Sequence, residues 1–247
     1  IHFAGAGSNL EEALRPCKFK VKGKKFGLLS FGWETISCQI AKKNRFGVAP
    51  LVEKIVLQEI KKQENKFDFL IISLHFGYER DIYPAPSQRS MLRKFIDQGA
   101  DIIIGHGPHF IQGIEEYKNK HIVYSLGNFL FADIKTSKAD IPWEEDARNS
   151  FFLNLTLSED LETISIKKIP FKYDSDLKII DLYCDSKSNK NFLKKIDYLS
   201  SPLSLNDKEY KEFWYNNSLR KLPNPIGLHW FDRIRIILVK LQRIIKN

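Results

Sequence analysis

The 247-residue chain is poor in sulfur, with three cysteines and one methionine. Cys17, Cys38 and Cys184 are odd in number and far apart, and no CxxC pair occurs. That excludes a disulfide framework and a cysteine-based zinc knot, and leaves structural thiols. No run of about 20 apolar residues is present, so no segment reads as a membrane span. A charged stretch followed by an apolar stretch, the mark of a secretory leader, does not open the chain. Internal repeats and low-complexity tracts are also lacking. The first residue is Ile1, not methionine, and Ile1 to Gly7 already reads as a strand entering a glycine turn. The expectation is a chain that starts inside a fold.

What is present is apolar bulk and positive charge. At 43% hydrophobic, the chain can bury a substantial core in one or two domains. Against 30 acidic residues stand 39 lysines and arginines, a formal net charge of +9. The lysines are scattered and do not form an arginine-rich stripe with aromatic spacing, so no nucleic acid is expected as a partner. A basic surface favours polyanionic polymers, phosphates or anionic lipid headgroups.

Ser8 or Asn9 can cap a short helix over Leu10 to Leu14, with Glu11 and Glu12 in its acidic first turn. Lys18 to Val21 and Lys25 to Ser30, either side of Lys22-Gly23-Lys24, read as a hairpin. Leu51 to Lys62 and Ser87 to Gln98 carry helical spacing, the second closed by Gly99. Between and after them lie two apolar strands, Phe67 to Leu74 and Asp101 to Ile104. Strand, helix, strand predicts a parallel crossover within one sheet. Two more hairpins are predicted, around Lys118-Asn119-Lys120 and around Ser158-Glu159-Asp160. Asp133 to Asn149 reads as a polar loop over the site. Helices are expected over Asn191 to Leu199, Asp207 to Asn216 and Leu228 to Ile245. The last is amphipathic, with Ile234, Ile237, Leu238, Leu241 and Ile244 on one face. It reads as packed on the domain or, with Trp230 and its basic flank, as a peripheral membrane contact. The fold class is α/β, a mixed-sheet, two-layered core with helices outside. Two units are expected, residues 1–172 and a helical extension, 173–247.

Half of the six histidines sit at the ends of the two apolar strands. His75 follows Phe67 to Leu74, and His106 and His109 lie in Gly105-His106-Gly107-Pro108-His109 after Asp101 to Ile104. Strand ends of open α/β sheets are where ligands and metals bind. A turn with Gly107 at positive φ can aim two rings into one pocket, and His75 can converge there. Three imidazoles suffice for a metal centre with one open position. Glu79, four residues past His75, is the nearest carboxylate, as a metal-site partner or an exposed loop acid. Asn128 and Gln112 either face a substrate in that pocket or satisfy their own turns. Tyr124 reads as core, and His2, His121 and His229 have no partner pattern.

Four motifs then follow in order: His75-Phe76-Gly77-Tyr78-Glu79, Gly99 to His109, Gln112-Gly113-Ile114-Glu115, and Tyr124-Ser125-Leu126-Gly127-Asn128-Phe129. Together with Gly5-Ala6-Gly7-Ser8-Asn9-Leu10-Glu11-Glu12-Ala13, they resemble the bacterial capsule-synthesis protein family of the poly-γ-glutamate biosynthesis type (CapA/PgsA). The resemblance covers about the first 170 residues. It implies a calcineurin-like metallophosphoesterase fold, a mixed β-sandwich flanked by helices. It also implies a site for one or two divalent metals (manganese, iron or zinc), with His75 as the later-strand ligand and His106 and His109 as the pair after the last core strand. The family's early Asp, Asn-Glu and Asn-His motifs have no counterpart here, as expected of a chain lacking the N-terminal part of the fold. Gly107 stands where the family commonly has a further histidine.

The resemblance implies a part in making or exporting an anionic surface polymer, with metal-dependent phosphoester hydrolysis by His106, His109 and Glu79 if the missing ligands are supplied. The rival is a polymer-binding or scaffold subunit without a working metal centre. A third reading is a soluble phosphoesterase acting on a small molecule. An anionic polymer or phosphoester is the expected substrate and a membrane-bound synthesis complex the expected partner, at the outer face of the cytoplasmic membrane; a cytoplasmic place is the alternative.

Overall fold

The computed structural model describes residues 2–34, 38–131, 134–135, 140–141, 145–161, 164–174, 179–182 and 186–218. Along the chain the strands are β1 (Ala6–Gly7), β2 (Cys17–Val21), β3 (Lys24–Gly32), β4 (Gly47–Val48), β5 (Phe69–His75), β6 (Ile102–His106), β7 (Ile114–Tyr117), β8 (Lys120–Val123), β9 (Ile134–Lys135), β10 (Asp140–Ile141), β11 (Asn149–Leu157), β12 (Ile164–Asp174) and β13 (Ile179–Leu182). The helices are α1 (Leu10–Ala13), α2 (Glu53–Lys62), α3 (Pro86–Asp97), α4 (Glu145–Arg148), α5 (Ser186–Ser200) and α6 (Asp207–Asn217).

Six strands form the central sheet in the order β2-β3-β5-β6-β8-β7. The four inner strands are parallel, and the outer β2 and β7 are antiparallel to their neighbours. Parallel strands need covered faces, and both are covered. Leu70, Ile72, Leu74 and Ile103 look toward Val56 and Ile60 of α2 and Leu92, Phe95 and Ile96 of α3 in one buried cluster. Residues of the opposite parity, Phe26, Phe69, Ile71, Ile102 and Ile104, meet Leu153, Leu155, Leu157, Ile164 and Ile166 of an antiparallel sheet ordered β11-β12-β13. The result is a helix–sheet–sheet stack, the mixed β-sandwich flanked by helices that the sequence predicts.

All three predicted hairpins form, as β2–β3, β7–β8 and β11–β12. Asn9 caps α1 by accepting from the Glu12 N–H at 3.0 Å. Gly99 follows α3 with φ +119°. The strand expected over Ile1 to Gly7 shrinks to the two residues of β1, because only Gly47 and Val48 pair with it among the described residues. Of the expected loop over 133–149, the described residues hold β9, β10 and α4. Cys17 and Cys38 are free thiols; Cys184, Trp230 and the predicted helix over 228–245 lie outside the described residues.

The helices after residue 185 share the core of the sheet. Phe192, Ile196 and Leu199 of α5, Leu203, and Tyr210 and Trp214 of α6 belong to the cluster that holds α2 and α3. The expected boundary after residue 172 falls inside β12, which continues to Asp174 and pairs with β13. A buried ionic network fastens this segment. Arg89 of α3, 2% exposed, binds Asp207 Oδ1 at 2.8 Å and the Leu203 carbonyl at 2.9 Å, and its guanidinium stacks on Tyr210 at 4.7 Å. Its Nε lies 3.4 Å from Glu115 Oε1, and Tyr124 donates to Glu115 Oε2 at 2.6 Å. No described helix is long and apolar enough to cross a membrane.

Candidate functional site

Along the face that meets the second sheet, the chemistry of the central sheet changes row by row. Phe26 pairs with Phe69, then Leu28 with Ile71 and Ile71 with Ile102. In the next row on that face Ser30 stands beside Ser73, with Ile104 as the third partner. The last is Gly32, His75, His106, three register partners on neighbouring parallel strands. Strand neighbours stand about 4.8 Å apart with side chains on one side, so His75 and His106 are adjacent imidazoles by construction. Gly32 adds no side chain to this row. A Cβ there would sit 3.9 Å from that of His75 and 3.4 Å from the Cys38 thiol.

The loops beyond the two strands are locked together. The expected turn Gly105 to His109 begins later than the sequence suggests, since Gly105 and His106 are still strand. The ladder continues past them, with Phe76 N–H donating to the His106 carbonyl at 2.7 Å and Arg80 N–H to the Pro108 carbonyl at 2.8 Å. Gly107 adopts φ +129°, and a Cβ there would lie 2.2 Å from the Phe76 carbonyl oxygen. The backbone approach that joins the loops therefore excludes a histidine at this position.

His109 has φ +67° and leans edge-on against Phe131, ring centres 4.8 Å apart. Its Nδ1 is 2.8 Å from Oδ1 of Asn128. The Asn128 amide is oriented from its other end, where Nδ2 donates to the Ala147 carbonyl at 3.0 Å. Oδ1 can only accept, so Nδ1 of His109 carries the proton, and Nε2 holds the lone pair in the neutral ring. A hydrogen-bonded partner that fixes a tautomer is typical of histidines that bind metals or move protons.

The three rings feel one another. Burial holds His75 below the ordinary histidine range, and the charge of His109 lowers it further. Burial, then the charge of His75, does the same to His106. Both are weaker bases than a free imidazole and are neutral at pH 7. The backbone N–H of Trp33 donates to the His75 carbonyl at 3.0 Å, and the Trp33 ring packs against Phe76 and Tyr78 as an aromatic wall.

The single coordination sphere expected of His75, His106 and His109 is not formed. Among the described residues no group of three or more His, Cys, Asp or Glu side chains is placed to hold a metal ion. His109 meets Asn128 through Nδ1 and Phe131 through its ring edge, and no described carboxylate joins the three rings. The described residues supply imidazoles but no carboxylate ligand for the two-metal cage that the resemblance implies. Glu79, expected beside His75, is exposed on the loop and makes no hydrogen bond or ion pair among the described residues. Gln112 is 1% exposed, and its amide donates to the Asp81 carbonyl at 2.8 Å; so deep in the interior it braces the loop and offers no surface to a substrate. Asn128 meets His109, a contact between residues 19 apart that no local pattern signals. Trp33, Phe131 and Cys38 were not legible as neighbours of the site, since each arrives from a separate stretch of chain.

A family model described as bacterial capsule synthesis protein PGA_cap matches residues 1–133, which include every residue just described around the histidines except Ala147. The chain belongs to this family. It is 33% identical over 135 residues to the capsule biosynthesis protein CapA of Bacillus anthracis, covering 53% of this chain and 33% of that protein. It is 37% identical over 132 residues to the PGA biosynthesis protein CapA of Bacillus subtilis (strain 168), covering 53% and 35%. A probable polyglutamine synthesis accessory protein of Mycobacterium tuberculosis is 26% identical over 120 residues, covering 47% and 30%. The chain thus spans about a third of the length of these relatives. Likeness to solved structures is weak. A hypothetical protein from Thermus thermophilus gives a TM-score of 0.42 at 10% identity, covering 64% of this chain and 61% of that one. The NAD nucleotidase of Haemophilus influenzae gives 0.35 at 14%, covering 81% and 37%.

Proposed function

We propose that the chain serves in the biosynthesis of an anionic surface polymer of the capsule or poly-γ-glutamate type, at the cell envelope, with the histidine row as its working site. The family match across that row carries this reading. The names of the relatives supply the polymer class, and the net charge of +9 suits a polyanionic substrate.

Two chemical roles divide this reading. In the first, the row is part of a metal-dependent phosphoesterase-like site whose acidic ligands lie outside the described residues. The neutral imidazoles and the fixed tautomer of His109 favour it. In the second, the chain is a polymer-binding or scaffold subunit on the same fold. The lack, among the described residues, of a three-ligand group favours that one. Metal content of the full-length protein, with turnover of a bis-phenyl phosphodiester in added manganese, separates them. Two metals per chain and hydrolysis abolished by His106→Ala support the esterase; no metal and no turnover support the subunit. The shared reading is tested by deleting the gene and measuring surface polymer, and an unchanged yield refutes it.

A further inference from the structure

The β2–β3 hairpin breaks a local rule of sheet chemistry. Lys18, Lys20, Lys22, Lys24 and Lys25 lie within eight residues, all exposed. Lys20 is the direct register partner of Lys25, and Lys24 faces Val21. Like charges directly opposite each other destabilise a strand pair. The Asp68 carboxylate accepts from the backbone N–H of Lys25 at 2.6 Å and forms no ion pair with these ammonium groups among the described residues. None of the five ammonium groups makes a hydrogen bond or ion pair among the described residues.

Protection of a free edge explains only part of this. β2 is the outer strand of the sheet, and lysines on an edge block unwanted pairing. β3 pairs with β5 only from Phe26 onward, so Lys24 and Lys25 stand at the overhanging end of the hairpin, where edge protection does not call for a lysine directly facing Lys20. An unrelieved charge repulsion on an otherwise regular hairpin marks a surface selected for a ligand of opposite sign.

The layout of the charges indicates the shape of that ligand. Lys18 and Lys20 follow one face of a strand, where side chains recur at about 6.6 Å. Lys25 stands beside Lys20 on that same face. The next place on the inner strand is Gly27, covered by the ring of Phe67. The charges make a line along an edge and not a pocket. The hairpin is remote from the histidines. β3 begins at Lys24 and ends at Gly32, the register partner of His75, a run of roughly 26 Å at strand rise.

We propose that this hairpin is a docking surface for an extended polycarboxylate chain, held along the β2 edge by ion pairs at the opposite end of the sheet from the histidine row. The inference rests on the proposed role in anionic-polymer biosynthesis and adds a holding site to it.

The test is binding of poly-γ-glutamate to the full-length protein by titration at about 50 mM and about 300 mM salt. The hairpin variant is Lys20→Gln/Lys22→Gln/Lys25→Gln. The control, Lys54→Gln/Lys61→Gln/Lys211→Gln, removes the same charge from exposed helix positions. The expected result is a loss of roughly tenfold or more in affinity for the hairpin variant, a shallower salt dependence, and a thermal midpoint equal to or above that of the natural protein. The control should stay within about twofold. Equal losses in the two variants overturn the proposal, as does absence of binding by the natural protein. Binding of phosphatidylglycerol vesicles or RNA through the hairpin, without binding of poly-γ-glutamate, overturns it too. Failure of the polymer-synthesis reading looks different: polymer yield is then unchanged on gene deletion, while the hairpin still binds the polyanion in solution.

Discussion

Nδ1 of His109 and Oδ1 of Asn128 lie 2.8 Å apart, and the second hydrogen bond of Asn128, to Ala147, decides which of the two nitrogens of His109 is protonated. Asn128→Ala removes that control. It should cost about 1 kcal/mol of stability and let the ring populate both tautomers. Nitrogen-15 chemical shifts of the His109 ring should show one tautomer in the natural protein and a mixture in the variant. A single unchanged tautomer would mean that Asn128 does not orient the ring.

The coupling among the rings can be read directly. In a proton NMR titration, His75 and His106 should both show midpoints below the ordinary value of about 6.5. His109→Ala should raise the midpoint of His75, because a positive neighbour has gone, and His75→Ala should likewise raise that of His106. A folded-state midpoint below the unfolded one means that the unfolded chain binds more protons as the pH drops. These two groups therefore add stability above about pH 6.5 and lose it as the pH falls through their folded midpoints.

How much of this was legible in the sequence depends on the range of the interaction. Lys22-Gly23, with φ of 47° and 81°, makes the tight turn that the sequence announces, and the hairpins follow from such local signals. The strand-end position of His75 and His106 was equally local. Their registry was not, because it depends on β5 and β6 aligning across α3. The surroundings of Glu79 and Gln112 were not legible for the same reason. Residue type and distance along the chain say nothing of whether a side chain turns out to solvent or is drawn in to bond the Asp81 carbonyl.

Gly107 should resist substitution. Gly107→Ala forces a Cβ against the Phe76 carbonyl and fixes a side chain at φ +129°, so a loss of more than about 2 kcal/mol is expected in urea unfolding. Gly107→His should be no better tolerated. A Gly107→His protein as stable as the natural one would show that the two loops can separate at little cost.

The buried ionic network makes a sharper stability prediction. Arg89→Met leaves Glu115, 3% exposed, with Arg93 as its remaining cationic partner and strips the Leu203 carbonyl of its donor. The expected cost is about 3 kcal/mol or more. Asp207→Asn, on a carboxylate whose side chain is 78% exposed, should cost under about 1 kcal/mol. The two costs, measured by chemical denaturation, should not approach each other.

Alkali should act through buried phenols. Burial holds the Tyr124 and Tyr210 hydroxyls well above the ordinary tyrosine range, and Tyr83 is pushed up to about 12 by burial and its hydrogen bond with Tyr198. Unfolded tyrosines lose their protons near 10. The folded state holds these protons longer, so its advantage is intact below pH 10 and is lost as the pH rises beyond it. Ultraviolet titration should show three of the nine tyrosines ionising only with loss of the fold.

The shared core of the sheet and the late helices bears on where this polypeptide can be cut. Six side chains from Phe192 to Trp214 lie at 6% exposure or less against the sheet's helical layer, burial worth on the order of 10 kcal/mol, comparable with the entire margin by which a domain stays folded. The stretch matched by the family, residues 1–133, also stops short of β11 and β12, whose apolar sides cover the sheet's other surface. A protein shortened to that stretch would lay bare one face of the parallel strands and the outer side of the helical layer, and would aggregate, so its silence in an assay would say nothing about the histidines.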